Sequence, residues 1–500
     1  MSTAASPTIA ARALITPLPQ QSIALPPLAG LCTFEEAGRS ALSVEDCVGW
    51  MKRQHYLLVR LHEIFTARIT SEPLFELKSA FSLHAYLCVE HATAFRRRVG
   101  ELREPPLGLE AVPHDGLKLL CDEVLNSPSH TELVLGLYEI IVPALMESLV
   151  KYQQTTNLLA DAPSVRVTRF CLLELTDLHT FGQQAVATLV DDASRTRLAS
   201  WLTLLRNALQ SAGGVAGRIS EAMVVTDEAN SSGVGGSLVP QFSATPYQYD
   251  AVPRRDARFH DSYNGGVNPE AFLYDDRFSA RDKVLMMLYK RLREIDVPEM
   301  MASILQQTPG KPWKYYHDMS RQLWDEARHA LLGEVGFVQL GLDWSRIPIN
   351  FTWSMNLNTQ LEPWERHAVL FFIEQGLMPR TGKRYEWEVA QQSGIPLAAA
   401  IQDFDWADEV LHAQIGREWY VKEFGDLNAA MRYGDCCWSK VMSHWREYLE
   451  RGLTEHRNWW PDFYQSACLT WNVPPDPAAS AFNTTYENTR ADLKDISASG

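Results

Sequence analysis

The sequence lacks most of the features that would direct it to a membrane, to nucleic acid or to an oxidising compartment. Its 500 residues contain eight cysteines, at positions 32, 47, 88, 121, 171, 436, 437 and 468, with irregular spacing and no C-x-x-C. That argues against a thiolate metal site and, in a chain this long, predicts unpaired thiols in a reducing cytoplasm. No segment supplies the roughly 20 uninterrupted apolar residues of a membrane span. The most apolar run, LVLGLYEIIVPALMESLV, is interrupted by Glu139 and Glu147. The N-terminal stretch carries five prolines and no continuous apolar core, so residues 1–40 read as an extended arm rather than a signal peptide. Basic residues are in deficit, with Lys plus Arg 46 against Asp plus Glu 61 and a net charge of −15. Nucleic acid and anionic membrane are thereby excluded as main partners. There is no P-loop, no H-E-x-x-H and no G-x-S-x-G, and the glycine clusters GGVAG and GVGGS lack the strand that a nucleotide loop needs before it.

Strand-like alternation is nearly absent as well, whereas apolar residues recur at three- and four-residue steps. Helices are predicted over 44–67, 72–101, 130–155 and 164–212 in the first half. In the second they are predicted over 278–308, 312–341, 361–378 and 396–424, with more helix over 426–452. Residues 213–270 are rich in Gly, Ser and Pro and read as a long irregular connection that could cover a site. Residues 456–500 read as a C-terminal tail, disordered after WNVPPDPAAS. Two blocks of four long helices give an all-α expectation of two four-helix bundles in tandem, over residues 41–212 and 271–455.

Against this background one phrase occurs twice. DEARHALLG spans residues 325–333 and DEVLHAQIG spans 408–416, both of the form D-E-x-x-H-A-x-x-G. On an α-helix, residues three apart share a face. Glu326 therefore points with His329, and Glu409 with His412. A carboxylate and an imidazole converging on one point suit a first-row metal ion, and two such pairs on facing helices can hold two ions. More carboxylate is then needed from the other two helices. Glu374 is the one acid in the apolar run VLFFI-E, a position costly for a carboxylate unless it is compensated. The first helix offers Glu294, at the depth of Glu326 in an antiparallel pairing, and Glu299, in the apolar run PEMMASIL beyond Pro298. Both stay open, with Glu294 favoured. A ligating histidine usually donates its other ring N–H to an acceptor. Asp325 is assigned to His412 in that role, and Asp408 to His329. Gly333 and Gly416, four residues past each histidine, would admit a neighbouring helix closely.

On DEARH, DEVLH, Glu374 and Glu294 or Glu299, residues 275–425 resemble the ferritin-like superfamily of di-iron carboxylate proteins. The resemblance implies a pair of iron ions, or manganese or a mixed pair, and chemistry with dioxygen or peroxide. The expected function is a non-haem di-iron oxidase or oxygenase acting on a small organic substrate. Glu326, His329, Glu374, Glu409 and His412 would be the catalytic ligands. Electrons would come from a separate ferredoxin or reductase, because no flavin, haem or iron–sulfur motif is present. A ferroxidase or catalase-like protein and a metal-free scaffold are the alternatives, and a homodimer is compatible with the family. The first half reads as a worn copy. Glu63, Glu90, Glu139 and Glu174 repeat the glutamate intervals, but His91 and His179 fall on the wrong helical faces.

Overall fold

The computed structural model describes residues 25–102, 108–217, 238–379, 382–441 and 445–485. Most of the expected N-terminal arm and the last 15 residues of the expected tail lie outside them. Among the described residues the chain is all-helical and contains no strand.

In the first half, α1 (Val44–Arg68) and α2 (Phe75–Glu101) pack along each other. Ser43 starts α1 with a capping box, its hydroxyl accepting from the Asp46 N–H. The unpredicted α3 (Asp115–Leu125) is followed by α4 (His130–Thr155). The latter is long and apolar enough to cross a membrane, but 67% of its most apolar window is buried among its neighbours. One predicted helix over 164–212 is in fact several. α5 (Ala162–Leu189) ends at extended Val190, Asp191 caps a fresh turn, and α6 (Ala199–Ser211) follows. An aspartate that bonds the backbone two or three residues on favours such a restart.

The second half begins with α7 (Ala280–Arg293) and α8 (Asp296–Gln307), where a single helix was predicted. Pro298 accounts for the break. Its ring would collide with the carbonyl of the residue four earlier, Glu294, and it has no N–H to donate. Glu294 accordingly caps α7, and the chain restarts with Pro298 in the first turn of α8. Then come α9 (Trp313–Gln339), α10 (Thr352–Gln360), α11 (Pro363–Gly376), α12 (Lys383–Gln392), α13 (Pro396–Gly416), α14 (Leu427–Val441) and α15 (Trp460–Thr470). Helices α8, α9, α13 and α11 touch one another in a closed cycle, and α7 extends α8 along α9. Gly333 makes the α7–α9 approach possible: a Cβ there would stand 2.5 Å from the Leu292 nitrogen and 2.9 Å from the Leu288 oxygen. At Gly416 the neighbour is instead the Phe371 ring of α11, 2.4 Å from a built Cβ.

The two halves share their interior. One apolar cluster runs from Cys47 of α1 to Val441 of α14, and α2 lies along α9. The irregular segment behaves as a strap across both. The buried Glu123 carboxylate accepts from the Trp201 indole, from the N–H groups of Gln241, Phe242 and Ser243, and from the Ser243 hydroxyl. Farther along the strap, Arg255 is buried against Asp296 and Glu299 of α8. The expected tail is folded where it is described. Trp460 and Phe463 of α15 and Phe482 beyond it are buried in a second apolar cluster with Phe272 and Phe278. An aromatic-rich segment of this kind has apolar area enough to offset the entropy of ordering it.

Candidate metal centre

Three helices of the closed cycle, with the end of α7, bring the repeated phrase together. Glu326 and His329 lie on α9, Glu409 and His412 on α13, Glu374 on α11, and Glu294 at the end of α7. All except Glu294 are buried at 4% exposure or less, and Glu294 is half-buried. Their ligand atoms form two groups, each within 4.8 Å: Glu294, His329, Asp405 and Glu409 in one, and Glu326, Glu374, Glu409 and His412 in the other. Glu409 belongs to both.

Each imidazole turns the same edge inward. His412 Nδ1 lies 3.0 Å from Glu326 Oε1, 3.6 Å from Glu409 Oε2 and 3.8 Å from Glu374 Oε1. His329 Nδ1 lies 3.4 Å from Glu294 Oε2, 3.6 Å from Asp405 Oδ1 and 3.8 Å from Glu326 Oε2. The outer nitrogens meet the two aspartates. His329 Nε2 is 3.1 Å from Asp408 Oδ2, and His412 Nε2 is 3.4 Å from Asp325 Oδ2. Each aspartate thus serves the histidine of the opposite helix, as its place before the glutamate suggested. Arg328 donates to both Asp325 and Asp408 and ties the two pairs together.

The electrostatics differ between the two groups. Burial opposes ionisation of Glu294, but Arg291 and Lys383 outweigh it and hold the carboxyl down at about 2. Glu409 is likewise held well below the usual range against burial, with Lys383 the largest favourable influence. Glu374 goes the other way: burial and the Glu409 charge push it well above the carboxylate range, and Gln322 donates to it. Burial would lower both histidines. Asp408, Glu294 and Glu326 nevertheless raise His329 to about 10, and Asp325, Glu326 and Glu409 raise His412 well above its usual value. Both shifts favour the charged imidazole in an interior crowded with acid.

That compensation is incomplete. Among the described residues Glu294 Oε2, Glu326 Oε1, Glu409 Oε2, His329 Nδ1 and His412 Nδ1 are buried and have no partner in hydrogen-bond geometry, although they lie as near as 3.0 Å to one another. An unsatisfied buried polar atom costs about 1–3 kcal/mol, and five that face one another are unusual in a protein interior. All five belong to residue types that ligate divalent ions through oxygen and imidazole nitrogen. The donor set therefore fits a metal pair, with Glu409 between the two positions.

Glu299 does not belong here. Lys78, Arg255 and Ser354 take up its carboxylate, and the groups that could hold a metal do not include it. Five residues on from Glu294 and across the helix break, it faces the strap and the first half instead. Three participants escaped the sequence reading. Asp405 lies one turn before Glu409 on the same face, and Arg291 lies one turn before Glu294, so helical periodicity could have found both. Lys383, at the start of α12, belongs to none of the four ligand-bearing helices and left no periodic signal.

The glutamates singled out in the first half do not converge. Glu63 pairs with Arg60, Glu139 with Arg195, and Glu174 with His91, while Glu90 reaches across to His317 of α9. No family model, curated protein or solved structure matches the chain.

Proposed function

We propose that the chain is a non-haem di-metal oxidase or oxygenase of the ferritin-like type, using dioxygen to oxidise a small organic substrate. On this reading residues 271–455 form a four-helix bundle around two ions, iron first, with manganese or a mixed pair compatible with the same donors. The observation that carries it is the set of five buried ligand atoms on three helices that face one another without hydrogen-bond partners among the described residues, with Glu374 of a fourth helix beside them. Two redox-active ions, when bound, supply the electrons and Lewis acidity that dioxygen reduction needs.

The chain's own residues do the positioning. Asp408 and Asp325 hold the His329 and His412 rings with Nδ1 inward. Glu294, Glu326, Glu374 and Glu409 supply the carboxylates, and Arg291 and Lys383 keep Glu294 and Glu409 ionised. Apolar helix faces around the centre keep bulk water out. An external ferredoxin or reductase supplies electrons, the setting is the cytoplasm, and a homodimer is the assembly to look for. The first half, read as a ferritin-like bundle without its site, serves as scaffold and wall.

Anaerobic loading with Fe(II), followed by O2 with and without candidate metabolites, tests this reading. An oxidised organic product supports it. Ferric mineral, or O2 released from added peroxide, would point instead to iron or peroxide handling, and a chain that binds no metal would leave only the scaffold.

A further inference from the structure

The two ligand groups share Glu409 but not their surroundings. Around Glu294, His329, Asp405 and Glu409 stand two fully buried cations. Lys383 Nζ lies 2.8 Å from Glu409 Oε1, 2.9 Å from Asp405 Oδ1 and 3.9 Å from Glu294 Oε1. Arg291 pairs with Asp405 and lies 2.8 Å from Glu294 Oε1. The Lys383 nitrogen thus touches the carboxylates that an ion at this position would need. The other group, Glu326, Glu374, Glu409 and His412, has no Lys or Arg ion pair on Glu326 or Glu374 among the described residues. Among the described residues Glu326, Glu374 and His412 are answered by an amide from Gln322 and by one another, and Lys383 reaches this group only at the shared Glu409.

An ammonium in van der Waals contact with two carboxylates in a low-dielectric interior competes directly with a second cation there. We propose that the two positions are unequal: Glu326, Glu374, Glu409 and His412 bind a divalent ion on their own, whereas Lys383 holds the other position and yields it only when a second ion displaces its ammonium. The proposal rests on the reading of this cluster as a metal centre and deepens it. Lys383 is then the residue that sets occupancy. It is a positioning group, released from Glu409 and Asp405 as the second ion enters.

The test is a Mn2+ titration of the metal-free full chain, with unbound ion followed by electron paramagnetic resonance and bound ion by elemental analysis. The wild-type chain should bind one ion more tightly than the second, by on the order of 10- to 100-fold. Lys383→Met, close in length and without charge, should strengthen the second ion by a comparable factor and leave the first nearly unchanged. Asp405→Asn should weaken the second ion alone, and His412→Ala should abolish the tight one. The wild-type ratio needs no variant, so the proposal stays testable should Lys383→Met fold poorly. Two equal affinities in the wild type would overturn the inequality while leaving the metal centre intact. An unchanged second affinity in Lys383→Met would remove Lys383 from its role. No bound ion in any form would overturn both the proposal and the reading beneath it.

Discussion

Both halves of this molecule bury carboxylates, yet they treat them in opposite ways. In the first half, Glu123 is fully buried and collects five donors from Trp201 and the strap. Glu139, Glu174 and Glu63 each hold a basic partner. Phe65, Phe81, His84 and Tyr138 are buried there against one another, with the His84 ring and the Tyr138 hydroxyl 3.0 Å apart. In the second half, Glu326, Glu409, His329 and His412 turn toward one another and leave atoms unbonded. A buried acid is therefore not in itself a sign of a site. What separates the acids of the candidate centre from Glu123, and from Glu299 of their own half, is whether their hydrogen-bonding capacity is met by the chain.

The largest way to break this comparison is to remove a proposed ligand from the second half. Glu326→Ala and His412→Ala should each lose bound metal and oxidation activity while the helical circular dichroism stays close to that of the wild type. Either variant retaining two ions per chain would show that the ligands are wrongly assigned. Asp408→Asn should act through His329 and weaken metal retention by roughly 10- to 100-fold, measured by competition with a chelator. An unaltered affinity would remove Asp408 from its role.

Much of this site was legible because helical periodicity places residues on faces. The spacing of Glu326 to His329 and of Glu409 to His412, the lone acid Glu374 and the depth of Glu294 all follow from it. Periodicity also explains the failure over Glu299, since Pro298 interrupts the helix and a face argument cannot be carried across a break. Partners contributed from other elements are a different matter. Lys383 reaches the centre from a helix whose own pattern says nothing of the site, and Arg255 reaches Glu299 from a segment with no periodicity at all. The folded aromatic segment around Trp460 was missed for a related reason. Its value lies in long-range burial against Phe272, and local composition rich in proline concealed it.

Packing around the centre offers the next test. Gly333→Ala places a methyl group 2.5 Å from the backbone of α7, just before Glu294, and backbone cannot step aside as a side chain can. A loss of about 1–3 kcal/mol is expected from overpacking, read from urea melts, together with a change in metal affinity through Glu294. The same change at Gly416 meets only the Phe371 ring, so its cost should be smaller. Equal costs at the two glycines would contradict the close α7–α9 approach.

A smaller effect concerns the contact between the halves. His317 of α9 lies 3.3 Å from Asp318 and 2.9 Å from Glu90 of α2, and these two carboxylates raise it to about 9. The folded value exceeds the ordinary 6.5, so the pair contributes fully below 6.5 and fades as pH rises through about 9. Both side chains are partly solvated, so His317→Asn should cost no more than about 1 kcal/mol. Urea melts of wild type and variant should differ at about pH 6 and converge at about pH 10. A difference that persists at the higher pH would assign the role of His317 to packing rather than charge.

The smallest expected effect is none. Glu139→Gln and Glu174→Gln alter first-half acids whose intervals repeat those of the second half. In the fold Glu139 pairs with Arg195 and Glu174 with His91. Elemental analysis should find metal content identical to wild type, because among the described residues neither carboxylate belongs to a group of acids and imidazoles that could hold an ion. Any drop would show that the first half also holds an ion. The contrast between satisfied and unsatisfied acids would then cease to tell a site from a scaffold, and the interval repeat would become the better guide.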